Sequence, residues 1–295
     1  MVQRGRTVAI IGGGPAGIAA AIWCKRLGWE PVLYEKAALG GQLLQMQLPL
    51  VDWPGNYGFS ARQLLCQWTA HLQKMEIAVQ IAEVVAYQAE RERIVLGSGE
   101  EVDAQAVIYA PGLRPRRLAV DGAQWVRDQS TSDLVQDGTV HRVLIIGGGD
   151  RAVEAALRLS AQGKQVIVVQ RSAVLRARQA WQEDLAHSAA QVYRSAQVRR
   201  IILQNDGSYR VRIEQPGGVF FDVQADCVLV RIGMEPDAHP GLYAGHPTDI
   251  LPAQLPGGIA VIGDASTPAC YRSLVQAVAS GMRAAKDLTR FSGPI

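Results

Sequence analysis

The chain has 295 residues, of which 48% are apolar and 19% are charged, and its formal net charge is +3 at pH 7. This length is sufficient to bury the cores of two domains of moderate size. The small net charge, with basic residues scattered along the chain, does not indicate nucleic-acid binding. We interpret the arginines at 114, 116 and 117, which surround Pro115, as a solvated linker between domains.

The first apolar run, Val8 to Cys24, is predicted to be a strand and a helix and not a membrane span. Gly12-Gly13-Gly14-Pro15 interrupts it, and it is shorter than the roughly 20 residues that a span needs. A strand up to Ile11, a glycine turn and a helix over 18–27 fit the pattern better. Because no signal peptide precedes this strand, we expect a cytoplasmic protein.

The same glycine pattern occurs twice, with an offset of 135 residues. Residues 8–17 read VAIIGGGPAG and residues 143–152 read VLIIGGGDRA. In each copy aliphatic residues precede the glycines and an alanine-rich amphipathic run follows, as in the strand, turn and helix of a dinucleotide-binding unit. The glycines permit the turn and let a pyrophosphate approach the helix N-terminus. A turn without a ligand is the alternative for one copy, but two copies in register predict two dinucleotide sites.

The residue that ends the second strand differs between the copies. The first copy ends in Glu35, where an acid accepts hydrogen bonds from ribose hydroxyls. The equivalent position in the second copy, 135 residues after Glu35, is Gln170, and Arg171 and Arg176 follow it. An acid repels a ribose 2′-phosphate, whereas arginine pairs with one. The comparison favours FAD in the first site and NADPH in the second, against the alternatives of a solvated acid and a solvated basic loop.

The position of the second copy predicts that one domain is inserted into the other. The first unit continues through a helix over 60–75, a hairpin around 94–102 and a strand over 106–110. The second unit extends from about 139 to 233, after which a strand over 258–262 and a helix over 271–290 return to the first domain. We predict an α/β fold with two Rossmann-like, three-layer domains: residues 1–113 with 245–295 for FAD, and 114–244 for pyridine nucleotide or a second dinucleotide.

Taken in order, the motifs resemble those of the low-molecular-weight thioredoxin reductase-like flavoproteins, within the pyridine nucleotide-disulfide oxidoreductase superfamily. The matching segments are IGGGPAG at 11–17, GGQL at 40–43, WPG at 53–55, A-x-G at 110–112, IGGG at 146–149, IG at 232–233, IGD at 262–264 and YR at 271–272. The resemblance implies a flavin-dependent oxidoreductase that uses NADP and forms homodimers.

The resemblance also implies two sets of cofactor-binding residues. Those for FAD are Gly12, Gly14, Pro15, Ala16, Glu35, Lys36, Gly41, Gln42, Asp52, Val84, Ala110, Gly112, Asp264, Arg272 and Ser273. Those for the second dinucleotide are Gly147, Gly149, Asp150, Arg151, Gln170, Arg171, Arg176, Ile232 and Gly233.

The chain departs from thioredoxin-reducing members of this family at their C-x-x-C. Gln129-Ser130-Thr131-Ser132 occupies that place, and neither serine nor glutamine can cycle between thiol and disulfide. Asp133 matches the acid that follows in the family, and we interpret it as a helix cap or a solvated carboxylate.

Of the four remaining cysteines, Cys24 and Cys227 read as small buried apolar residues. Cys270 precedes Tyr271-Arg272, which the family places beside the flavin, so it is the candidate redox thiol, with Cys24 or Cys66 as a conceivable partner. Neither the cysteines nor the histidines suggest a metal site.

The second site departs from the family as well. Gln170-Arg171-Ser172 replaces a frequent His-Arg-Arg, and Asp150-Arg151 replaces a small polar pair. An aspartate at a helix N-terminus repels a pyrophosphate placed there, unless Arg151 neutralises it. The alternative is a different dinucleotide, including a second FAD, as in the cyanobacterial diflavin-linked disulfide oxidoreductases.

Three hypotheses follow from the sequence. The first is an NAD(P)H-linked flavin reductase that passes electrons to an acceptor other than thioredoxin. The second is a thiol-disulfide flavoenzyme that uses Cys270 and another cysteine. The third is a flavin-binding sensor without catalysis, although two intact phosphate loops argue against it.

Overall fold

The computed structural model describes residues 6–46, 49–127, 129–245 and 250–291, and of Phe291 it describes only the backbone. The chain divides into two compact units: residues up to Arg114 together with those from Glu235 onwards, and Pro115–Met234. The first boundary between the units, after Arg114, lies one residue after the predicted boundary at 113/114. The second lies ten residues before the predicted 244/245 boundary, because the segment after Met234 already packs on the first unit.

The first part of unit 1 contains seven strands and two helices. These are β1 (Thr7–Ile11), α1 (Pro15–Arg26), β2 (Glu30–Glu35), α2 (Ala61–Lys74), β3 (Ala78–Ile81), β4 (Val84–Gln88), β5 (Arg93–Leu96), β6 (Glu101–Asp103) and β7 (Ala106–Tyr109). Helix α2 begins with a capping box: Ser60 Oγ accepts from the Gln63 N–H at 3.2 Å, and the Gln63 side chain accepts from the Ser60 N–H at 2.9 Å.

The chain passes to unit 2 through β8 (Leu113–Pro115) and leaves it through β16 (Met234–Pro236), and these two strands pair. Between them lie α3 (Thr131–Gln136), β9 (Arg142–Ile146), α4 (Asp150–Ala161), β10 (Gln165–Gln170), α5 (Gln179–Ala186), β11 (Gln191–Arg194), β12 (Gln197–Leu203), β13 (Tyr209–Gln215), β14 (Val219–Ala225) and β15 (Cys227–Val230). Arg114, predicted to be a solvated linker residue, forms an ion pair with Glu235 at 3.0 Å. The crossing segment is therefore structured.

Unit 1 is completed by β17 (Gln254–Leu255), β18 (Ile259–Val261) and α6 (Leu274–Phe291). Its main sheet has the order β17-β18-β7-β1-β2-β3 and is parallel except for β17. Helix α6 packs against α1, and the Cβ of an alanine at Gly281 would overlap the Ala16 carbonyl oxygen. This close approach explains a glycine within the last helix.

The two units repeat one architecture. The parallel sheet of unit 2 has the order β11-β10-β9-β15, which corresponds to β3-β2-β1-β7 in unit 1. In each unit a three-stranded antiparallel sheet, β4-β5-β6 or β12-β13-β14, forms a further layer. The bounds of β9, α4 and β10 equal those of β1, α1 and β2 displaced by 135 residues.

Alternation along the central strands separates the layers, because successive strand side chains point to opposite faces. In β1, Val8 and Ile10 pack in the core with α1, whereas Ala9 and Ile11 pack in the core that contains β4 and β5. Each parallel sheet is thus buried on both faces. The predicted fold class, α/β with two Rossmann-like three-layer domains and the second inserted, is confirmed.

The antiparallel sheet of unit 2 was not predicted from the sequence. The signal is present in β13, where Tyr209, Val211 and Ile213 are buried and the arginines between them are exposed. Among the described residues, no helix is long and apolar enough to cross a bilayer.

Candidate dinucleotide sites

The turn after β1 requires glycine for two separate reasons. Gly12 has φ +108°, and a Cβ there would overlap the Ala110 carbonyl oxygen. A Cβ at Gly17 would overlap the Gly12 carbonyl oxygen, so α1 packs directly on the turn. At Gly14, by contrast, a Cβ would meet nothing within 4 Å. Open space thus lies beside the N-terminus of α1, where N–H groups are free to bind an anion.

That space belongs to a cavity in unit 1 which encloses about 1190 Å³, part of it open to solvent. Fourteen of the fifteen residues predicted to bind FAD line it: Gly12, Gly14, Pro15, Ala16, Glu35, Lys36, Gly41, Gln42, Val84, Ala110, Gly112, Asp264, Arg272 and Ser273. The other residue, Asp52, is exposed and is not among the lining residues. It lies in a segment closed by two hydrogen bonds between Leu50 and residues Gly58 and Phe59.

Glu35 lies at the end of β2, beside the glycine turn. Its carboxylate accepts the Gly13 N–H at 2.7 Å and the Ala37 N–H at 3.0 Å. A Cβ at Gly13 would lie only 3.0 Å from the Cβ of Glu35 and 2.6 Å from the Leu39 Cδ2, so the glycine lets both side chains pack against the turn. These contacts hold an acid at the cavity wall, as the sequence pattern predicts for a residue that faces a ribose.

Asp264 contributes a buried acceptor to the cavity wall. Its Oδ1 is buried and has no hydrogen-bond partner among the residues that the structure describes. Burial raises the pKa of this carboxyl above its ordinary value, and the positive charge of Arg272 opposes the rise. The Arg272 Nε donates to the main-chain oxygens of Asp264 and Thr267 at 3.1 and 3.0 Å. The wall therefore presents an acceptor that a hydroxyl of a ligand can satisfy.

Part of the cavity wall comes from residues that the sequence analysis assigned to the other domain. Asp237 and His239 line the cavity. The Lys36 ammonium pairs with Asp237 at 2.7 Å, which raises the pKa of Lys36, and the His239 N–H donates to the Tyr109 hydroxyl oxygen at 2.7 Å. In the sequence, Asp237 and His239 belong to no motif that indicates a binding site. Only their contacts in the folded chain identify them as residues of the cavity wall.

The turn after β9 repeats the geometry of the first. Gly147 has φ +134°, and a Cβ there would overlap the Arg231 carbonyl oxygen. Its N–H donates to the Val169 carbonyl at 2.9 Å, and the Gly12 N–H donates to the corresponding Tyr34 carbonyl at 2.8 Å. A Cβ at Gly149 would meet nothing within 4 Å. Unit 2 thus has the same open approach to a helix N-terminus.

Asp150, the first residue of α4, pairs with an arginine that the sequence analysis did not select. Its carboxylate accepts from the Arg178 main-chain N–H at 2.8 Å and from the guanidinium Nε and Nη2 at 3.3 and 2.9 Å. Partial burial raises the pKa of Asp150, but the hydrogen bonds and charge of Arg178 outweigh this and leave it below its ordinary value. The charge of Asp150 is therefore neutralised by Arg178 and not by Arg151, as the sequence had suggested. The exposed Arg151 side chain instead approaches the Met234 sulfur.

The other residues predicted for the second site surround the same turn. Gln170 is buried, and its amide nitrogen donates to Ser172 Oγ at 2.5 Å and to the Val174 carbonyl at 3.4 Å. Arg171 and Arg176 are exposed. At the end of the unit Ile232 is 36% exposed, and Gly233, with φ +108°, accepts the Arg116 N–H at 3.0 Å.

Comparison with known proteins is consistent with this pair of glycine turns. Residues 6–248 match the family model described as pyridine nucleotide-disulphide oxidoreductase. The chain belongs to this family.

Two curated relatives and a solved structure are similar to the chain over most of its length. It is 26% identical to the thioredoxin reductase of Buchnera aphidicola, over 96% of each chain. It is 28% identical to the ferredoxin–NADP reductase of Ignicoccus hospitalis, over 78% of each chain. The thioredoxin reductase structure from Lactococcus lactis matches the fold with a TM-score of 0.83 and 23% identity, over 97% of this chain and 98% of that one.

This family member has no cysteine pair between Gln129 and Ser132. Ser130 caps α3 through its Oγ, which accepts the Asp133 N–H at 3.0 Å, so the serine is the cap and Asp133 is an exposed carboxylate. The Gln129 side chain accepts from the Cys227 thiol at 2.8 Å. The segment is therefore held by polar side chains.

The four cysteines fall into two classes. Cys24 and Cys227 are buried, as predicted, and burial raises the pKa of each thiol to about 12. Cys66 and Cys270 are exposed. Cys270 lies two residues before Arg272 but is not itself a lining residue of the cavity. Within the described ranges, no group of three or more His, Cys, Asp or Glu residues is placed to hold a metal ion.

Proposed function

We propose that the chain is an FAD-dependent oxidoreductase that moves electrons between NAD(P)H and an acceptor other than thioredoxin. The observation that supports this most strongly is the cavity of unit 1, because fourteen of the fifteen residues expected to hold FAD border one continuous space. Family membership favours an enzyme over a flavin-binding sensor.

The residues of the cavity suit FAD in charge and in shape. The open side of Gly14 and the N-terminus of α1 suit a pyrophosphate. Glu35 suits ribose hydroxyls, and the unpaired Oδ1 of Asp264 suits a hydroxyl of the ribityl chain. When bound, FAD supplies the ring system that accepts and passes on electrons, while the protein supplies orientation and local dipoles.

The identity of the acceptor is constrained by what replaces the C-x-x-C. Gln129, Ser130 and Ser132 cannot form a disulfide, so electrons have no dithiol relay in this segment. An acceptor that takes electrons directly from the flavin satisfies this constraint. The Ignicoccus relative is named a ferredoxin–NADP reductase, which makes a protein or small-molecule electron carrier a suitable acceptor class.

Anaerobic titration of the purified, FAD-loaded protein tests this function. We expect NADPH or NADH to bleach the flavin absorbance in proportion to the amount added. Absence of bleaching by either nucleotide, with FAD bound, would contradict the NAD(P)H-linked function. Ferredoxin, flavodoxin and quinone analogues, added to the reduced protein, then identify the acceptor class by the rate at which absorbance returns.

The thiol-disulfide alternative rests on the solvent exposure of two cysteines. Cys270 is exposed close to the cavity residue Arg272, and Cys66 is the other exposed cysteine. If this alternative holds, a dithiol bleaches the flavin and Cys270→Ser abolishes the bleaching, with Cys24→Ala as the control at a buried thiol. Equal bleaching of the wild type and Cys270→Ser would rule out a role for this cysteine.

We also propose that the second site of unit 2 holds NADPH and that the protein is a cytoplasmic homodimer. The alternative ligand is a second FAD. Flavin released per chain separates the two, because one flavin per chain supports NADPH and two support the diflavin type. Sedimentation of the FAD-loaded protein tests the dimer.

A further inference from the structure

We infer that Asp150 and Arg178 form a clasp that determines how tightly unit 2 binds a dinucleotide phosphate. The inference rests on the proposed function in one respect, namely that the turn after β9 is a dinucleotide site. It adds a specificity-determining pair that includes a residue, Arg178, which the sequence motifs do not contain.

The clasp fastens the segment after β10 across the glycine turn. The Arg176 and Ala177 N–H groups donate to the Gly148 carbonyl at 2.7 and 3.2 Å. Arg178 then donates three hydrogen bonds to Asp150, and its guanidinium lies 4.0 Å from the centre of the Trp181 ring. Contacts on two sides therefore hold the guanidinium beside the first turn of α4.

The corresponding segment of unit 1 follows the same path across its glycine turn but, among the described residues, carries no ion pair at this place. There the Gly40 N–H donates to the Gly13 carbonyl at 2.8 Å, in the place of the bonds to Gly148. The next residues are Gly41 and Gln42, and the residue at the position of Asp150 is Pro15. All three line the cavity. The same local geometry thus borders a ligand space in unit 1 and carries an ion pair in unit 2.

The charges on this pair oppose phosphate binding while the clasp is closed. Arg178 is a cation that could pair with a phosphate at this turn, but its guanidinium is already bound to the Asp150 carboxylate at 2.9 Å. Asp150 adds a negative charge at the helix end that would otherwise attract an anion. To bind here, a dinucleotide phosphate must therefore break the ion pair between Arg178 and Asp150 and then lie beside the negatively charged Asp150 carboxylate.

The clasp is nevertheless able to open. The side chains of Arg178 and Asp150 are 59% and 43% exposed, and exposed ion pairs contribute little to stability. Opening leaves both groups hydrated, and the freed guanidinium can form a bidentate contact with a phosphate. We expect a reduction of affinity and not a complete block.

Titration of the full-length, FAD-loaded protein with ADP-ribose tests the clasp, because ADP-ribose carries the pyrophosphate but cannot reduce the flavin. We expect Asp150→Asn to bind ADP-ribose about tenfold more tightly than the wild type, and adding Arg178→Ala to remove this gain. Glu154→Gln removes the same charge one turn further along α4 and should change the affinity less than about twofold. Asp150→Ser repeats the test with a smaller side chain.

Two outcomes overturn the clasp. One is an Asp150→Asn affinity no greater than that of the wild type, and the other is an equal gain in Glu154→Gln. If NADPH bleaches the wild-type flavin in either case, the proposed function stands and only the clasp fails. Binding of ADP-ribose to Asp150→Asn alone supports the clasp, and bleaching of the wild-type flavin by NADPH or NADH then tests the proposed function separately. No binding to any variant, without bleaching, overturns both proposals.

Discussion

The residues that shape the cavity act through space as much as through hydrogen bonds. Gly12 and Gly14 belong to one motif, yet their surroundings differ. A Cβ at Gly12 overlaps a carbonyl oxygen, and one at Gly14 meets nothing within 4 Å. Gly12 is therefore needed by the fold, whereas Gly14 leaves a space that we propose a ligand occupies.

Paired alanine substitutions separate these roles. Gly12→Ala should destabilise the protein by about 3 kcal/mol or more, because φ is +108° and the new methyl group has no room. Gly14→Ala should leave the stability of the FAD-free protein almost unchanged and weaken FAD binding. Urea unfolding and flavin titration measure the two effects. Normal stability of Gly12→Ala would show that the turn can rearrange.

Asp264 gives a pH-dependent prediction. Burial raises the pKa of this carboxyl in the folded protein, so ionisation opposes folding. A raised acid pKa means that the folded state binds more protons, and stability is therefore lost as the pH rises from the ordinary aspartate range through the raised pKa. Asp264→Asn should stabilise the FAD-free protein at pH 7, with a smaller advantage at lower pH.

Urea unfolding of the FAD-free wild type and Asp264→Asn, at pH 7 and at a lower pH, measures this difference in stability. Asp133→Asn, at an exposed acid in unit 2, is the matched control. In FAD titrations the asparagine variant should bind more weakly, since it loses a charge-assisted acceptor. A stability difference that does not change with pH would contradict the assignment to burial of the carboxylate.

Among the elements, α6 links the end of the chain to the cavity. Leu274 and Ala277 line the cavity, and the Ser280 hydroxyl accepts the Gly263 N–H at 2.9 Å. One turn beyond its cavity residues, the helix lies against α1 through Gly281. The position of α6 therefore sets one wall of the cavity that we propose binds the flavin.

Gly281→Ala tests this contact. Replacing glycine by alanine in the middle of a helix ordinarily stabilises it by about 1 kcal/mol. Here the methyl group would overlap the Ala16 carbonyl, so we expect a loss of about 2 kcal/mol and weaker FAD binding. Arg283→Ala, at an exposed position of the same helix, is the control. Thermal unfolding with and without FAD measures both effects, and a gain in stability would contradict the close packing.

At the scale of the whole molecule, each unit is compact and has its own buried cores. Unit 2 is continuous in sequence, and its cores lie on both faces of its parallel sheet. Its first and last residues are joined near Arg116 and Gly233 by a main-chain hydrogen bond. An insertion with adjacent ends can fold without disturbing its host.

We expect residues 115–234, expressed alone, to fold and to unfold cooperatively, because their cores contain residues of this unit alone. Far-UV circular dichroism and urea titration measure this, and the full-length protein serves as the reference. A fragment without a cooperative transition would show that unit 2 depends on unit 1.

The sequence by itself determined the two glycine turns, the elements that flank them and the insertion of one unit into the other. These features follow from local patterns: strand and helix periodicity, and turns that only glycine can adopt. The matching bounds of β1 and β9, and of α1 and α4, show how closely these patterns repeat. Half of the residues that line the cavity were predicted for the same reason, together with the family motifs.

The tertiary structure alone decided which distant residues meet. The return to unit 1 at Glu235 depends on the pairing of β16 with β8, and Lys36 meets Asp237 across 201 positions. Arg178, and not the adjacent Arg151, pairs with Asp150 because the segment after β10 folds back over the glycine turn. No local pattern encodes such contacts, since they depend on where the backbone places charges that are far apart in sequence.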